Sequence, residues 1–138
     1  MATTHLRVRL VTPDRILVDQ DANAVEIPSK TGYLEVLAGH APLLAEIGAG
    51  EVRLHGGEGG DQRYSVARGF VEVLPDRVTI LAESAEKPEE IDVAAAQEQL
   101  QRGEQLWNEA GDVPAKYAEA NEIMAEATAK LDSAGARS

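Results

Sequence analysis

Leu6-Arg7-Val8-Arg9-Leu10 decides the fold: apolar and charged residues alternate with period two, the signature of a strand that buries one face and wets the other. The same alternation returns in Val52-Arg53-Leu54 and Val71-Glu72-Val73, and it dominates from Leu6 to Ala82. Turn formers interrupt it at short intervals, at Thr12-Pro13-Asp14, Pro28 to Gly32, Gly56-Gly57-Glu58-Gly59-Gly60-Asp61 and Pro75-Asp76. Several short strands with regular turns predict an antiparallel β-sandwich or barrel, because closing or doubling a sheet is how an all-β chain covers its apolar face.

Downstream of about Glu83 the period changes. β-Branched residues thin out while Ala, Glu and Gln accumulate, as in helices. Ile91-Asp92 reads as a staple residue and N-cap, after which Val93, Ala96, Leu100, Gly103 and Trp107 share one face of a first helix that Gly103 weakens. Gly111-Asp112-Val113-Pro114 supplies a break, a second N-cap at Asp112 and a first-turn proline. Tyr117, Ala120, Met124, Ala127 and Leu131 form the stripe of a second helix. The predicted class is therefore α+β: an N-terminal antiparallel β-sandwich of about ten short strands over 1–86, then a two-helix antiparallel hairpin over 87–138, with a frayed tail from Ser133 to Ser138. The stripes are narrow and rich in alanine, so the hairpin gains only modestly from self-packing and is expected to be conditionally docked or mobile.

Composition restricts function. The chain has 138 residues and a net charge of −11; residues 1–82 carry 8 basic and 11 acidic groups, residues 83–138 carry 5 and 13. Such a surface repels phosphate backbones and anionic headgroups, which argues against nucleic acid or a lipid surface and for a protein partner. With no cysteine, thiolate chemistry and disulfides are excluded. The N-terminus MATTHLRVRL has no signal core, and no apolar run nears the roughly 18 residues of a spanning helix. The expectation is a soluble cytoplasmic chain.

Chemistry-bearing residues are sparse. His5, His40 and His55 stand far apart with no metal-binding spacing, so His40 reads as a turn residue bonded to backbone or lining an interface. Gly56 to Gly60 lacks the Lys-Ser/Thr and helix of a phosphate loop and reads as a flexible hairpin tip. The carboxylates around Glu89, Glu90 and Asp92 read as a solvated face, and Trp107 either as a hot spot for a partner or as a core residue between two helices. No nucleophile, base and orienting group occur together, so neither a catalytic site nor a metal site is predicted.

Two blocks carry a family resemblance. Gly32-Tyr33-Leu34-Glu35-Val36-Leu37-Ala38-Gly39-His40-Ala41-Pro42-Leu43-Leu44 is similar to a glycine-led strand entering a Pro-Gly-His-Ala-Pro turn. Ser65 to Val73 with Val78-Thr79-Ile80-Leu81-Ala82 is similar to a Gly-Gly-x-x-Glu-Val strand and its partner. Together with Ile91-Asp92 and Gly111-Asp112-Val113, they resemble the epsilon subunits of bacterial F-type ATP synthases over about residues 5–132. Glu35, Ala38 and Arg68 depart from that pattern, standing where many relatives have Gly, Pro and Gly.

The resemblance implies a non-catalytic rotor subunit of the central stalk, linking the gamma subunit to the c-ring and supporting coupled ATP synthesis at the cytoplasmic face of the bacterial inner membrane. It implies a c-ring contact at Ser29, Lys30, Thr31, Gly32 and Tyr33 and at Gly39, His40, Ala41 and Pro42, together at one end of the sandwich. It also implies a reach of the hairpin toward the catalytic alpha and beta subunits. Some relatives bind ATP through Ile/Leu-Asp-x-x-Arg-Ala; here Ile91, Asp92, Ala95 and Ala96 make a degenerate version with Ala95 at the arginine position, so no cofactor is expected. Lys116 and Lys130 among Glu119, Glu122, Glu126 and Asp132 predict weak inhibition of ATP hydrolysis. The competing reading is a free-standing sandwich that binds carbohydrate or peptide, with a helical oligomerisation tail; an enzyme ranks below it.

Overall fold

A computed structural model describes residues 5–135. Eight strands come first: β1 (Leu6–Val11), β2 (Ile16–Ala22), β3 (Ala24–Ser29), β4 (Gly32–Leu37), β5 (Leu43–Glu46), β6 (Gly50–His55), β7 (Gln62–Leu74) and β8 (Arg77–Glu86). Two helices follow a short 3-10 turn at Pro88–Glu90: α1 (Val93–Glu109) and α2 (Pro114–Ser133). The described chain divides after Lys87 into two compact units.

In the first unit the strands bond in the order β2-β1-β8-β7-β6-β3-β4, with β5 also on β7. The two long strands explain how one bonded path makes a sandwich. The first half of β7 pairs with β6 (Leu54↔Gln62 to Gly50↔Val66) and its second half with β5 (Glu46↔Phe70 to Leu43↔Val73). β8 follows β7 over most of its length, from Leu74↔Arg77 to Ser65↔Glu86. One layer is thus β2-β1-β8-β7-β5 and the other β8-β7-β6-β3-β4. The eight strands match the predicted ten once β7 and β8 are counted in each layer. Six pairings are antiparallel; β1 and β8 run parallel, because the chain leaves for the second layer after β2 and comes back beside β1.

β7 turns between layers at Arg68-Gly69, where φ is 53° and 138°. Arg68 occupies left-handed space that favours glycine. Inward residues of both layers meet in one core: Leu6, Val8, Leu10, Val71, Val73, Val78 and Ile80 from the first, Val25, Ile27, Val36, Val52, Leu54, Tyr64 and Val66 from the second. Each fully buried aliphatic contributes about 1.5–3 kcal/mol. Tyr64 is the single aromatic residue in that core; Tyr33, Phe70 and Trp107 are exposed.

The glycine run is not a free tip. Gly56 and Gly57 have φ of 67° and 82°, and a Cβ on Gly57 would lie 2.1 Å from the Asp21 carbonyl oxygen. The loop therefore lies directly on edge strand β2. Glu58 N–H donates to Asp21 O at 3.2 Å, Asp21 N–H donates to the Glu58 carboxylate at 2.8 Å, and Arg7 reaches the same carboxylate at 3.3 Å. Only glycine permits that approach, and the loop shields a strand edge otherwise open to pairing. Gly57→Ala is expected to cost about 2–3 kcal/mol, read by urea denaturation, and to speed exchange of the Asp21 amide proton.

In the second unit Asp92 caps α1 as predicted, its carboxylate accepting from Ala95 N–H at 3.0 Å. The second cap differs: Pro114 is the first helical residue, so Val113 and not Asp112 is the N-cap, without a side-chain bond. Gly103 serves the pairing of the helices, since a Cβ there would sit 2.5 Å from Met124 Cγ. Ala96, Ala120, Ala127 and Leu131 are buried on the predicted stripes. Gln99 bridges the helices, donating to Ile123 O at 3.3 Å and to Glu126 Oε2 at 2.7 Å. Ser133, read as the start of the tail, is helical and buried; the end of that tail, 136–138, lies outside the described residues.

Candidate functional site

The first predicted contact segment is a tight turn between β3 and β4, closed by the Ser29↔Gly32 pair. Ser29 Oγ donates to Gly32 O and accepts from Thr31 N–H at 3.3 Å, and Gly32 has φ of 128°. Lys30 is tied to β5, its N–H donating to Glu46 O at 3.1 Å and its Nζ lying 3.2 Å from the Glu46 carboxylate. Tyr33 does not belong to the tip. Its ring folds back over β6, where the hydroxyl accepts from Glu51 N–H at 3.0 Å and the Arg53 guanidinium stands 5.7 Å from the ring centre. A Cβ on Gly50 would be 2.6 Å from that hydroxyl, so glycine makes room for the tyrosine. Arg53 Nε–H donates to the Glu51 carboxylate at 3.0 Å, and that side-chain bond holds the guanidinium above its usual pKa.

The second segment lies elsewhere. Gly39 N–H donates to Pro75 O at 2.7 Å, which fixes the Gly39-His40-Ala41-Pro42 loop beside the β7–β8 turn. His40 N–H donates to Leu37 O at 3.1 Å, and its ring Nδ1 donates to Ala41 O at 2.7 Å, the turn role expected for it. One turn precedes β4 and the other follows it, so the two sit at opposite ends of a six-residue strand, roughly 17 Å apart at about 3.4 Å per residue. The expected single end face does not exist.

Sequence reasoning missed an exposed apolar row on the sandwich. Val11 pairs with Ile16 on β2 and with Leu81 on β8, and Leu81 pairs with Phe70 on β7. These four residues form one cross-strand row on the outer face of the first layer. Ile16, Leu81 and Phe70 are 55%, 53% and 51% exposed, and Leu44 on the adjacent β5 is 70% exposed. Neighbours in such a row lie about 5 Å apart and act as one apolar surface. The sequence signal was an apolar residue at outward positions, in Gly69-Phe70-Val71 and Ile80-Leu81-Ala82, where alternation calls for a polar one.

The degenerate nucleotide motif is a helix start. Ile91 is nearly buried, Asp92 caps, Ala96 is buried and Ala95 is exposed, offering a phosphate no cation. Among the described residues no group of His, Asp and Glu is arranged to hold a metal ion, and no helix is long and apolar enough to cross a membrane.

Comparison with known proteins agrees with this architecture. Residues 5–88 match the family described as ATP synthase, Delta/Epsilon chain, beta-sandwich domain, and residues 89–135 match its long alpha-helix domain. The ATP synthase epsilon chain of Koribacter versatilis is 52% identical over 103 residues, covering 74% of this chain and 71% of that one. That of Halalkalibacterium halodurans is 40% identical, covering 98% and 99%, and that of Moorella thermoacetica 38%, covering 95% and 97%. Among solved structures, a chain of the Euglena gracilis mitochondrial ATP synthase (OSCP/F1/c-ring) shares the fold with a TM-score of 0.77 at 20% identity, covering 94% of this chain and 81% of that one. A chain of the Tetrahymena thermophila mitochondrial ATP synthase central stalk and c-ring gives 0.68 at 14%, covering 97% and 99%. Family models spanning both units and near full-length relatives of one name lead to a single conclusion: the chain belongs to the ATP synthase delta/epsilon family, as an epsilon chain and not a catalytic subunit.

Proposed function

We propose that this epsilon chain couples rotation in the central stalk by docking the outer face of β5-β7-β8-β1-β2 on the gamma subunit, with the tip of the β3–β4 turn on the c-ring. The cross-strand row Ile16, Val11, Leu81 and Phe70 carries the reading. Four outward apolar residues on four strands are costly to leave in water and form a rigid, ready-made interface. A free carbohydrate binder has less support, because exposed aromatics are scattered: Tyr33 lies over β6 and Trp107 is on a helix.

The two turns divide the contacts. One ring meets one end of β4, and the tip Lys30-Thr31-Gly32, exposed at all three residues with two polar side chains, suits it better than Gly39-His40-Ala41-Pro42, where the one polar side chain, His40, is half-buried with its ring bonded to Ala41 O. Cysteine cross-linking in the assembled synthase tests the division. Lys30→Cys is expected to link to subunit c and His40→Cys is not; the reverse pattern moves the contact to the other turn. The chain would then work at the cytoplasmic face of a bacterial membrane, held there by the complex. The hairpin has Arg102, Lys116 and Lys130 as cations among the described residues, which supports a weak brake on ATP hydrolysis and no ATP site at Ile91 to Ala96.

A further inference from the structure

A cleft of about 460 Å³ opens between the two helices near their connecting turn, lined by Glu104, Trp107, Asn108, Asn121 and Met124. We propose that it receives a basic side chain, an arginine presented by a partner protein. Glu104 and Trp107 stand three residues apart on α1, and Asn121 and Met124 three apart on α2, so each pair shares one helix face. The wall is firmly set. Gly103 admits Met124 at a distance no side chain would allow, and Tyr117 meets Trp107 edge-on, ring centres 4.6 Å apart at 77°. Tyr117 is itself anchored, its hydroxyl donating to Gly111 O at 2.8 Å. Trp107 stays 41% exposed despite that contact.

The lining selects a cation. An indole face attracts a guanidinium, and a carboxylate one turn away supplies the counter-charge. The amide oxygens of Asn108 and Asn121 accept from N–H donors that the carboxylate leaves over, while the Met124 thioether suits the methylene stem. None of the lining residues is basic. Over residues 88–135 the hairpin has 11 acidic and 3 basic side chains, a field that draws a basic surface and repels an anionic one. Arginine is preferred to lysine because its planar head can stack on the ring and bond the carboxylate at once. This proposal stands apart from the docking of the sandwich on gamma.

Trp107 is the one tryptophan of the chain, so its emission reports the cleft directly. The full chain is titrated with a tryptophan-free alanine–glutamine helical peptide bearing three arginines, and with the same peptide bearing citrulline, its neutral counterpart. The arginine peptide is expected to change Trp107 emission saturably and the citrulline peptide to leave it unchanged. Glu104→Gln should weaken binding about fivefold, while Glu98→Gln, which removes the same charge from α1 outside the cleft, should weaken it less than twofold. Trp107→Leu, followed by titration calorimetry, should lose as much as Glu104→Gln; if circular dichroism shows it unfolded, Glu104→Gln decides alone. Equal weakening by Glu104→Gln and Glu98→Gln would mean diffuse attraction and overturn the proposal, as would binding that leaves Trp107 emission unchanged, or no binding at 50 mM salt.

Discussion

Gly69→Ala is expected to remove about 4 kcal/mol of stability from the sandwich. The Cβ would stand 1.9 Å from the Leu81 carbonyl oxygen and 2.9 Å from its carbon, in a backbone with φ of 138°. Neither neighbour can yield easily, because Leu81 lies in β8, which is bonded to β7 on one side and to β1 on the other. Gly57→Ala costs less, since its obstruction is a carbonyl on an edge strand with room to retreat. A loss of that size is a large share of the 5–15 kcal/mol typical of a domain. Urea denaturation of the full chain followed by circular dichroism checks it, with Arg68→Ala as the neighbour expected to lose far less.

Phe70→Glu combined with Leu81→Glu is expected to weaken binding to the gamma subunit at least about 100-fold while moving stability by no more than about 1 kcal/mol. Both side chains are about half exposed and face away from the core, whereas Val71 and Ile80 beside them are fully buried. The substitutions thus spare the core. In the complex each would set a carboxylate into an apolar contact with no partner, and central hot-spot residues are commonly worth 2 kcal/mol or more each. Titration calorimetry gives the affinity, and thermal melting of the free variant gives the stability.

The period-two pattern made the sandwich legible because a strand with one dry face must alternate, and β1 buries Leu6, Val8 and Leu10 as the pattern demands. The α1 cap was legible too, because an Asp before an alanine-rich run has one obvious use. The turn between layers was not, since Arg68 hides a left-handed position that a glycine would have advertised. Gly56 to Gly60 misled for a related reason: glycine marks flexibility and close approach alike, and only the position of β2 distinguishes them. Glu126, counted with the repelling charges, is nearly buried and bonded to Gln99, a partner 27 residues away.

For the candidate site, both turns were recognisable as turns, and their separation was available as well, because a turn before a strand and a turn after it must lie at opposite ends. The apolar row was harder. It assembles from Ile16, Val11, Leu81 and Phe70, and it becomes a surface only once β1 is known to pair with β8 in parallel, a pairing no local pattern announces.

The coupling role proposed for the chain rests on the outer face of the first layer gripping the gamma subunit. Hydroxyl-radical footprinting of the full chain, free and bound to gamma, tests it most directly. Phe70, Leu81, Leu44 and Ile16 are expected to lose reactivity on binding while Tyr33 and Leu37, on β4 of the other layer, keep theirs. Unchanged reactivity at Phe70 and Leu81, with protection at Tyr33 and Leu37 instead, would contradict it.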